Sequence, residues 1–267
     1  MNKATHAWSE LQAMDALSAL DSPVHRLHPL AKLLCTIAYI LITVSFHKYD
    51  LSGIIVLVLY PLFLFLLSGI SVGTCLYKMR YVLPLVMAVG IVNPFLDRAI
   101  VLEIGGIPIR AGIISMLTLM LKGVFSLMAS FLLIATTRID LLCASMRKLH
   151  IPEILVTLFL LTYRYISVMV EQVSIMSDAY ALRAPGQKGI HISAWGSFLG
   201  QLLLRSADKA TELYQSMRQR GFDGSFRYLT IPKFRGTDVA FLTGSVGILL
   251  VLRYVPVTAL LGGLFVR

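Results

Sequence analysis

Six apolar runs, 31–46, 51–70, 82–96, 112–136, 152–170 and 238–266, constrain this chain more than any other feature. Several are long enough to span a hydrocarbon core about 30 Å thick, which takes about 20 helical residues. Only 14% of the residues are charged and 57% are hydrophobic, whereas a soluble domain carries about a quarter charged residues. The expected fold is an all-α integral membrane protein with about five transmembrane helices and a polar cytoplasmic domain of long amphipathic helices. Residues 1–30 are mixed and polar, with Asp15, Asp21, His25, Arg26 and His28, and lack the apolar centre of a cleavable signal. The first spans are expected to act as uncleaved insertion signals.

The formal net charge of +10 reads as positive-inside topology and a basic cytoplasmic face, with no nucleic acid partner. Arg26 and Lys32 place the N-terminus inside. The nearly neutral His47, Lys48 and Asp50 lie outside, and Lys78 and Arg80 return inside. Asp97, Arg98, Glu103 and Arg110 cancel, as an external loop allows, and Gly105-Gly106 suits a small hairpin turn there. Arg138, Arg147 and Lys148 are inside again. Residues 171–237 then hold nine Lys/Arg (Arg183, Lys188, Arg205, Lys209, Arg218, Arg220, Arg227, Lys233, Arg235) against Glu171, Asp178, Asp208, Glu212 and Asp223. A span at 152–170 would put that basic block outside. This run also has Glu153 and Arg164 near its ends, so it is expected to lie at or under the membrane. Four regions follow: a cytoplasmic segment 1–30, a four-helix membrane region 31–136, a cytoplasmic domain 137–236 and a C-terminal membrane region 237–267. The last holds one span to about 253, then either a short terminal helix or an incomplete second crossing.

Two long helices are predicted in the polar domain, after a short amphipathic piece from Asp140 to Leu149. The first, 152–183, starts on Pro152 and Glu153, which suit a helix N-terminus. It would run about 48 Å. Ile166, Met169, Val170, Val173 and Met176 recur with helical period, and Pro185-Gly186 ends it. The second starts with Ser193 as cap and carries Leu199, Leu202, Leu203, Ala210, Leu213, Tyr214 and Met217 on one stripe. Gly221 is its expected C-terminal cap. Each helix ends in arginine beside a small residue: Asp178-Ala179-Tyr180-Ala181-Leu182-Arg183-Ala184 and Gln215-Ser216-Met217-Arg218-Gln219-Arg220-Gly221. Paired arginine tips on long helices suit presentation to another protein.

Enzymatic motifs are missing. Gly186-Gln187-Lys188-Gly189 lacks the spacing of a phosphate loop, and there is no G-x-S-x-G or H-E-x-x-H. Cys35, Cys75 and Cys143 are far apart among apolar neighbours and read as buried thiols. His25 and His28 are three apart, but Pro29 argues against a shared helix face, so no metal site is expected. Lys122 lies within the fourth run, where a charge is costly. It either meets a partner subunit or pore, or snorkels out of the span.

The arginine segments resemble the T component of energy-coupling factor (ECF) transporters, the EcfT/CbiQ family. The second segment matches through Arg205-Ser206-Ala207-Asp208-Lys209-Ala210, Tyr214, Met217 and Arg220-Gly221-Phe222-Asp223-Gly224, and is most similar to the cobalt/nickel CbiQ branch. Gln219 stands where the family's motif has alanine before its arginine. In the first segment Leu182 and Ala184 stand in for the alanine and glycine around Arg183. Pro23-Val24-His25-Arg26-Leu27-His28-Pro29-Leu30-Ala31-Lys32-Leu33-Leu34 resembles the family's entry into its first span. The resemblance implies a non-enzymatic coupling subunit of crossed helices, docked on two ABC-type ATPases through Arg183, Ala184, Arg220 and Gly221, with Asp178 and Arg218 beside them. It implies that Met169, Val173, Met176, Leu203, Ala210 and Met217 touch a small membrane substrate-binding (S) subunit. The T component itself would hold no cofactor, ATP and Mg being bound by the ATPases. The cargo would be cobalt, nickel or a vitamin. The rival reading is a self-contained secondary transporter, which needs ionisable residues at mid-membrane and usually two related halves. Lys122 is its strongest candidate residue, and no repeat is visible.

Overall fold

The computed structural model describes residues 13–91, 94, 100–104, 107–187, 189–224 and 234–254. Helices α1 (Pro29–Ser45), α2 (Leu51–Leu57), α3 (Leu59–Ser68), α4 (Val72–Met79) and α5 (Leu83–Ile91) are followed by strands β1 (Ile100–Ile104) and β2 (Ile107–Arg110). Then come α6 (Ala111–Thr136), α7 (Ile139–Lys148), α8 (Glu153–Arg183), α9 (Ile192–Gln219) and α10 (Gly236–Tyr254). The strands form an antiparallel hairpin with Ile104 opposite Ile107, so the chain reverses where it was expected to. Gly105 and Gly106 themselves lie outside the described residues. The other elements among the described residues are helices, as an all-α membrane protein should have.

The chain divides into two compact units, one of Leu17–Arg138 with Pro232–Arg267, the other of Met1–Ala16 with Ile139–Ile231. The first is the membrane bundle. Pro29 opens α1 at a position where its missing N–H costs nothing, and the His28 side chain caps the helix by accepting from the Leu30 N–H at 3.0 Å. Small and polar residues of α1 face inward: Ala31, Lys32, Cys35, Tyr39 and Thr43 are buried, while Leu41 and Val44 are more than 60% exposed. Such a polarity suits a helix whose outer surface meets lipid.

Helix α10 runs parallel to α1 and α6 runs antiparallel to it. At the start of α1, buried Asp238 accepts the His28 N–H at 2.8 Å, and the Lys32 ammonium donates to the Thr136 carbonyl at 2.6 Å. At its far end, Lys122 donates to the Val44 and Phe46 carbonyls and Arg253 to the Ser45 carbonyl. Arg253 also stacks on the Phe46 ring at 4.3 Å. The last carbonyls of a helix have no partner within it and carry partial negative charge; two cations satisfy them here. Lys122 therefore snorkels to a helix end.

Two proline effects differ from the sequence expectation. The run 51–70 is broken at Val58, because Pro61 has no N–H for the Leu57 carbonyl. The Tyr39 hydroxyl donates to that carbonyl instead, at 3.2 Å, and its ring stacks on Tyr60 at 5.1 Å. The run 82–96 is helical from Leu83 to Ile91, and that arm meets α4 at 68°. Pro84 in the first turn of α5 prevents a continuous helix. Gly90 and Gly123 let α5 and α6 approach closely, since a Cβ would come within 2.8 Å of Met120 or 2.5 Å of Val86.

Among the described residues, four segments are long and apolar enough to cross a membrane: α2 with α3, α6, α8 and α10. The bent pair α4 and α5 makes a fifth, and α1 is a shorter apolar helix of 17 residues. Length and hydropathy thus admit α8, which the charge pattern had set apart. Residues 255–267, where the ending after α10 was left open, lie outside the described residues.

Candidate functional site

The second unit is built on α8 and α9, preceded by α7. Asp140 opens α7 and Arg147 and Lys148 close it, in keeping with the helix dipole. His150 takes a left-handed φ of 61°, and Arg147 pairs with Glu153 across the turn into α8. Farther along α8, the Tyr163 hydroxyl donates to Asp15 at 2.7 Å. Helix α9 begins two residues earlier than expected. His191, not Ser193, is its cap, with Nδ1 accepting from the Ser193 N–H at 3.4 Å.

Helices α8 and α9 form an antiparallel pair. Tyr180 accepts the His191 N–H through its hydroxyl at 3.3 Å, and Arg205 donates to Gln172 at 3.1 Å. Near the other end, Leu161, Arg164, Tyr165 and Val168 of α8 face Lys209, Glu212, Leu213, Met217 and Arg220 of α9 across a groove of about 850 Å³. The Glu212 carboxylate holds the Lys209 ammonium at 2.8 Å and raises its pKa. No residue of α9 is fully buried, so most of its stripe is open.

The two arginine tips end their helices by different means. Arg183 is the last residue of α8. The Ala184 N–H still donates to the Tyr180 carbonyl at 3.0 Å, and the chain turns at Gly186, φ 90°. At the end of α9 the Phe222 N–H donates to the Met217 carbonyl and the Gly221 N–H to Arg218, both at 3.0 Å, with Gly221 at φ 79°. These are the two hydrogen bonds of a Schellman cap, which favours glycine at the left-handed position. Phe222 and Met217, the pair that commonly makes the cap's apolar contact, both line the groove.

Arg183 and Arg220 are both exposed. Among the described residues neither guanidinium has an ion-pair or hydrogen-bond partner. They are not brought together. Arg220 borders the groove, whose α8 wall at Arg164–Val168 lies 15–19 residues before Arg183, about 22–28 Å along the axis. Asp178 is exposed on α8, and Arg218 lies over the Tyr214 ring at 5.9 Å. Of the apolar candidates, Met169, Ala210 and Met217 line a neighbouring patch of about 310 Å³ with almost no polar surface. Val173 and Met176 are half-buried outside it, and Leu203 is 70% exposed. Sequence reasoning missed Tyr165 and Gln172 as the α8 face toward α9. Their spacing from Leu161 and Val168 is helical, but their polarity hid them from an apolar-stripe count. Among the described residues no three His, Cys, Asp or Glu are placed to hold a metal ion. His25 bonds Ser22 and Leu17 while His28 caps α1, so the two share no helix face.

A multi-pass membrane protein that presents two separated arginine tips on an antiparallel helix pair is thus defined. A family model described as CbiQ, cobalt transport protein, matches residues 21–230, and the chain belongs to that family. It is 25% identical over 138 residues to an uncharacterized protein of Methanocaldococcus jannaschii, covering 51% of this chain and 47% of that one. It is 29% identical over 91 residues to the nickel permease LarQ of Lactiplantibacillus plantarum, covering 34% and 33%. These matches span a half or less of the relatives' own lengths.

Proposed function

We propose that this protein is the T subunit of an ECF-type ABC importer for cobalt or nickel ions. It would pass the ATP-driven movement of two ATPase subunits to a small membrane-embedded substrate-binding subunit. The observation that carries the reading is the pair of solvent-exposed arginines, unpaired among the described residues, at separate points of α8 and α9, in a member of a cobalt transport family. Arginine is permanently charged and can grip a carboxylate with two hydrogen bonds. Two tips about 22–28 Å apart along the helices suit two docking points. Gly221 holds Arg220 at a capped helix end, while Ala184, Asp178 and Arg218 flank the contacts. Met169, Val173, Met176, Leu203, Ala210 and Met217 would receive the substrate subunit, their thioethers adapting to a moving partner. Cobalt or nickel is favoured by the family's description and by one relative's name. The rival secondary-transporter reading depended most on Lys122, whose ammonium is committed to the end of α1.

The test is co-purification. Arg183→Glu combined with Arg220→Glu should abolish recovery of both ATPases with the membrane subunit. Recovery at the wild-type ratio would remove the docking role.

A further inference from the structure

We infer that the elbow between α4 and α5 is a binding site for the phosphate of an anionic phospholipid, held by the Arg80 guanidinium between Tyr77 and Tyr81. Helix α4 buries Cys75 and Met79 on one side and leaves Tyr77 and Arg80 exposed on the other. Helix α5 carries no polar side chain, and Gly90 is its one buried residue. Beyond Arg80, Tyr81, Leu85 and Val89 are 77%, 67% and 58% exposed. So apolar a surface on a membrane bundle meets acyl chains. Gly90 lies against Met120 and Val86 against Gly123, so α5 runs antiparallel to α6.

Arg80 stands at the foot of that surface. Helix α5 starts at Leu83, three residues before Val86, whereas α6 continues 13 residues past Gly123 to Thr136. The foot of α5 is therefore set back from the face where α6 ends, by up to about 15 Å of helix. The 68° bend turns α4 aside rather than onward to that face. A cation held there is costly without a counter-charge, and among the described residues no carboxylate pairs with it. Its surroundings are aromatic. The guanidinium carbon lies 4.4 Å from the centre of the Tyr77 ring and 4.7 Å from that of Tyr81, and Nη2 donates to the Tyr81 hydroxyl at 2.6 Å. These contacts hold the group in place without neutralising it. Arginine offers five N–H donors in a fork that fits a phosphate with two parallel hydrogen bonds. Lys78 adds positive charge in the last turn of α4, so a headgroup of net negative charge is favoured over a zwitterionic one. A phospholipid suits both parts of the elbow: its phosphate meets Arg80 while its acyl chains cover Leu85 and Val89. The site does not depend on docking by the arginine tips.

The test uses the full-length chain with Trp8→Phe and Trp195→Phe, and a single tryptophan introduced by Leu85→Trp on the exposed side of α5. It is reconstituted into phosphatidylcholine vesicles with rising proportions of a lipid brominated in its acyl chains, either phosphatidylglycerol or phosphatidylcholine. Fluorescence quenching then gives the affinity of the elbow for one lipid relative to the other. Phosphatidylglycerol should be favoured about fivefold, the factor that one cation near an anionic surface contributes. Arg80→Gln should bring the ratio to about one. Equal quenching by the two lipids with Arg80 in place, as when an acid of another subunit is the true counter-charge, overturns the inference. So does a preference that survives Arg80→Gln. Loss of the preference on adding inorganic phosphate at constant ionic strength would make free phosphate the occupant, and absence of quenching by either lipid would mean that protein covers α5; both also overturn it. Met87→Trp and Arg80→Met supply the same readings if either variant fails to elute as a folded species.

Discussion

At the scale of single residues, the polar unit depends on how two helices stop. Gly221 adopts φ 79° with nothing within 4 Å of where a Cβ would sit. Gly221→Ala therefore meets no clash, only the cost of a left-handed alanine, about 1–2 kcal/mol. Affinity for the proposed ATPase partners should fall by up to about thirtyfold, less than the 2–5 kcal/mol typical of losing one partner of a buried charged pair. Titrating the ATPases onto the reconstituted variant measures it. Asp238 is a different case. It accepts the His28 and Arg235 N–H groups at 2.8 Å each and lies near the Lys32 charge. Asp238→Ala should cost about 3–5 kcal/mol, as when a buried charged partner is removed. Asp238→Asn, which keeps an acceptor oxygen, should cost less. Thermal unfolding in detergent ranks the two, and equal midpoints would refute the hydrogen-bond part. Gly221 was legible from its place just beyond a periodic run. Asp238 was not, because an acid at the mouth of a span says nothing of a partner 210 positions away.

At the scale of elements, proline and cation placement shape the bundle. Pro61 frees the Leu57 carbonyl and Tyr39 takes it up, so one missing N–H is converted into a contact between helices. Lys122 and Arg253 converge on the last carbonyls of α1. Lys122→Met should lower thermal stability while leaving ATPase recovery and metal uptake near wild type. A loss of uptake without loss of stability would return Lys122 to a transport role. Hydropathy made these helices readable as apolar runs. It could not reveal the break at Val58 or the bend before Pro84, since both arise from hydrogen bonds that an apolar run does not encode. In the same way, α8 and α9 were visible from periodicity, but the face joining them uses Gln172, Tyr165 and Arg205, which no hydrophobic count selects.

At the scale of the whole molecule, the charge pattern predicts that the connection between α8 and α9 lies inside. A cysteine introduced by Gln187→Cys, at an exposed position between α8 and α9, should resist impermeant thiol reagents added outside intact cells and react once the membrane is opened. The three natural cysteines are buried, so background labelling is low. Reaction from outside would reverse the topology. The insertion of the polar unit between two membrane segments was legible in the sequence, but the packing of α10 against α1 was not, because it depends on which helix ends meet. It also has a consequence in time. During synthesis α1 emerges long before α10, and the 210 residues between His28 and Asp238 take about 10–40 s to translate. Through that interval His28 and Lys32 lack their last neighbour, so the bundle closes only after the entire polar unit has left the ribosome.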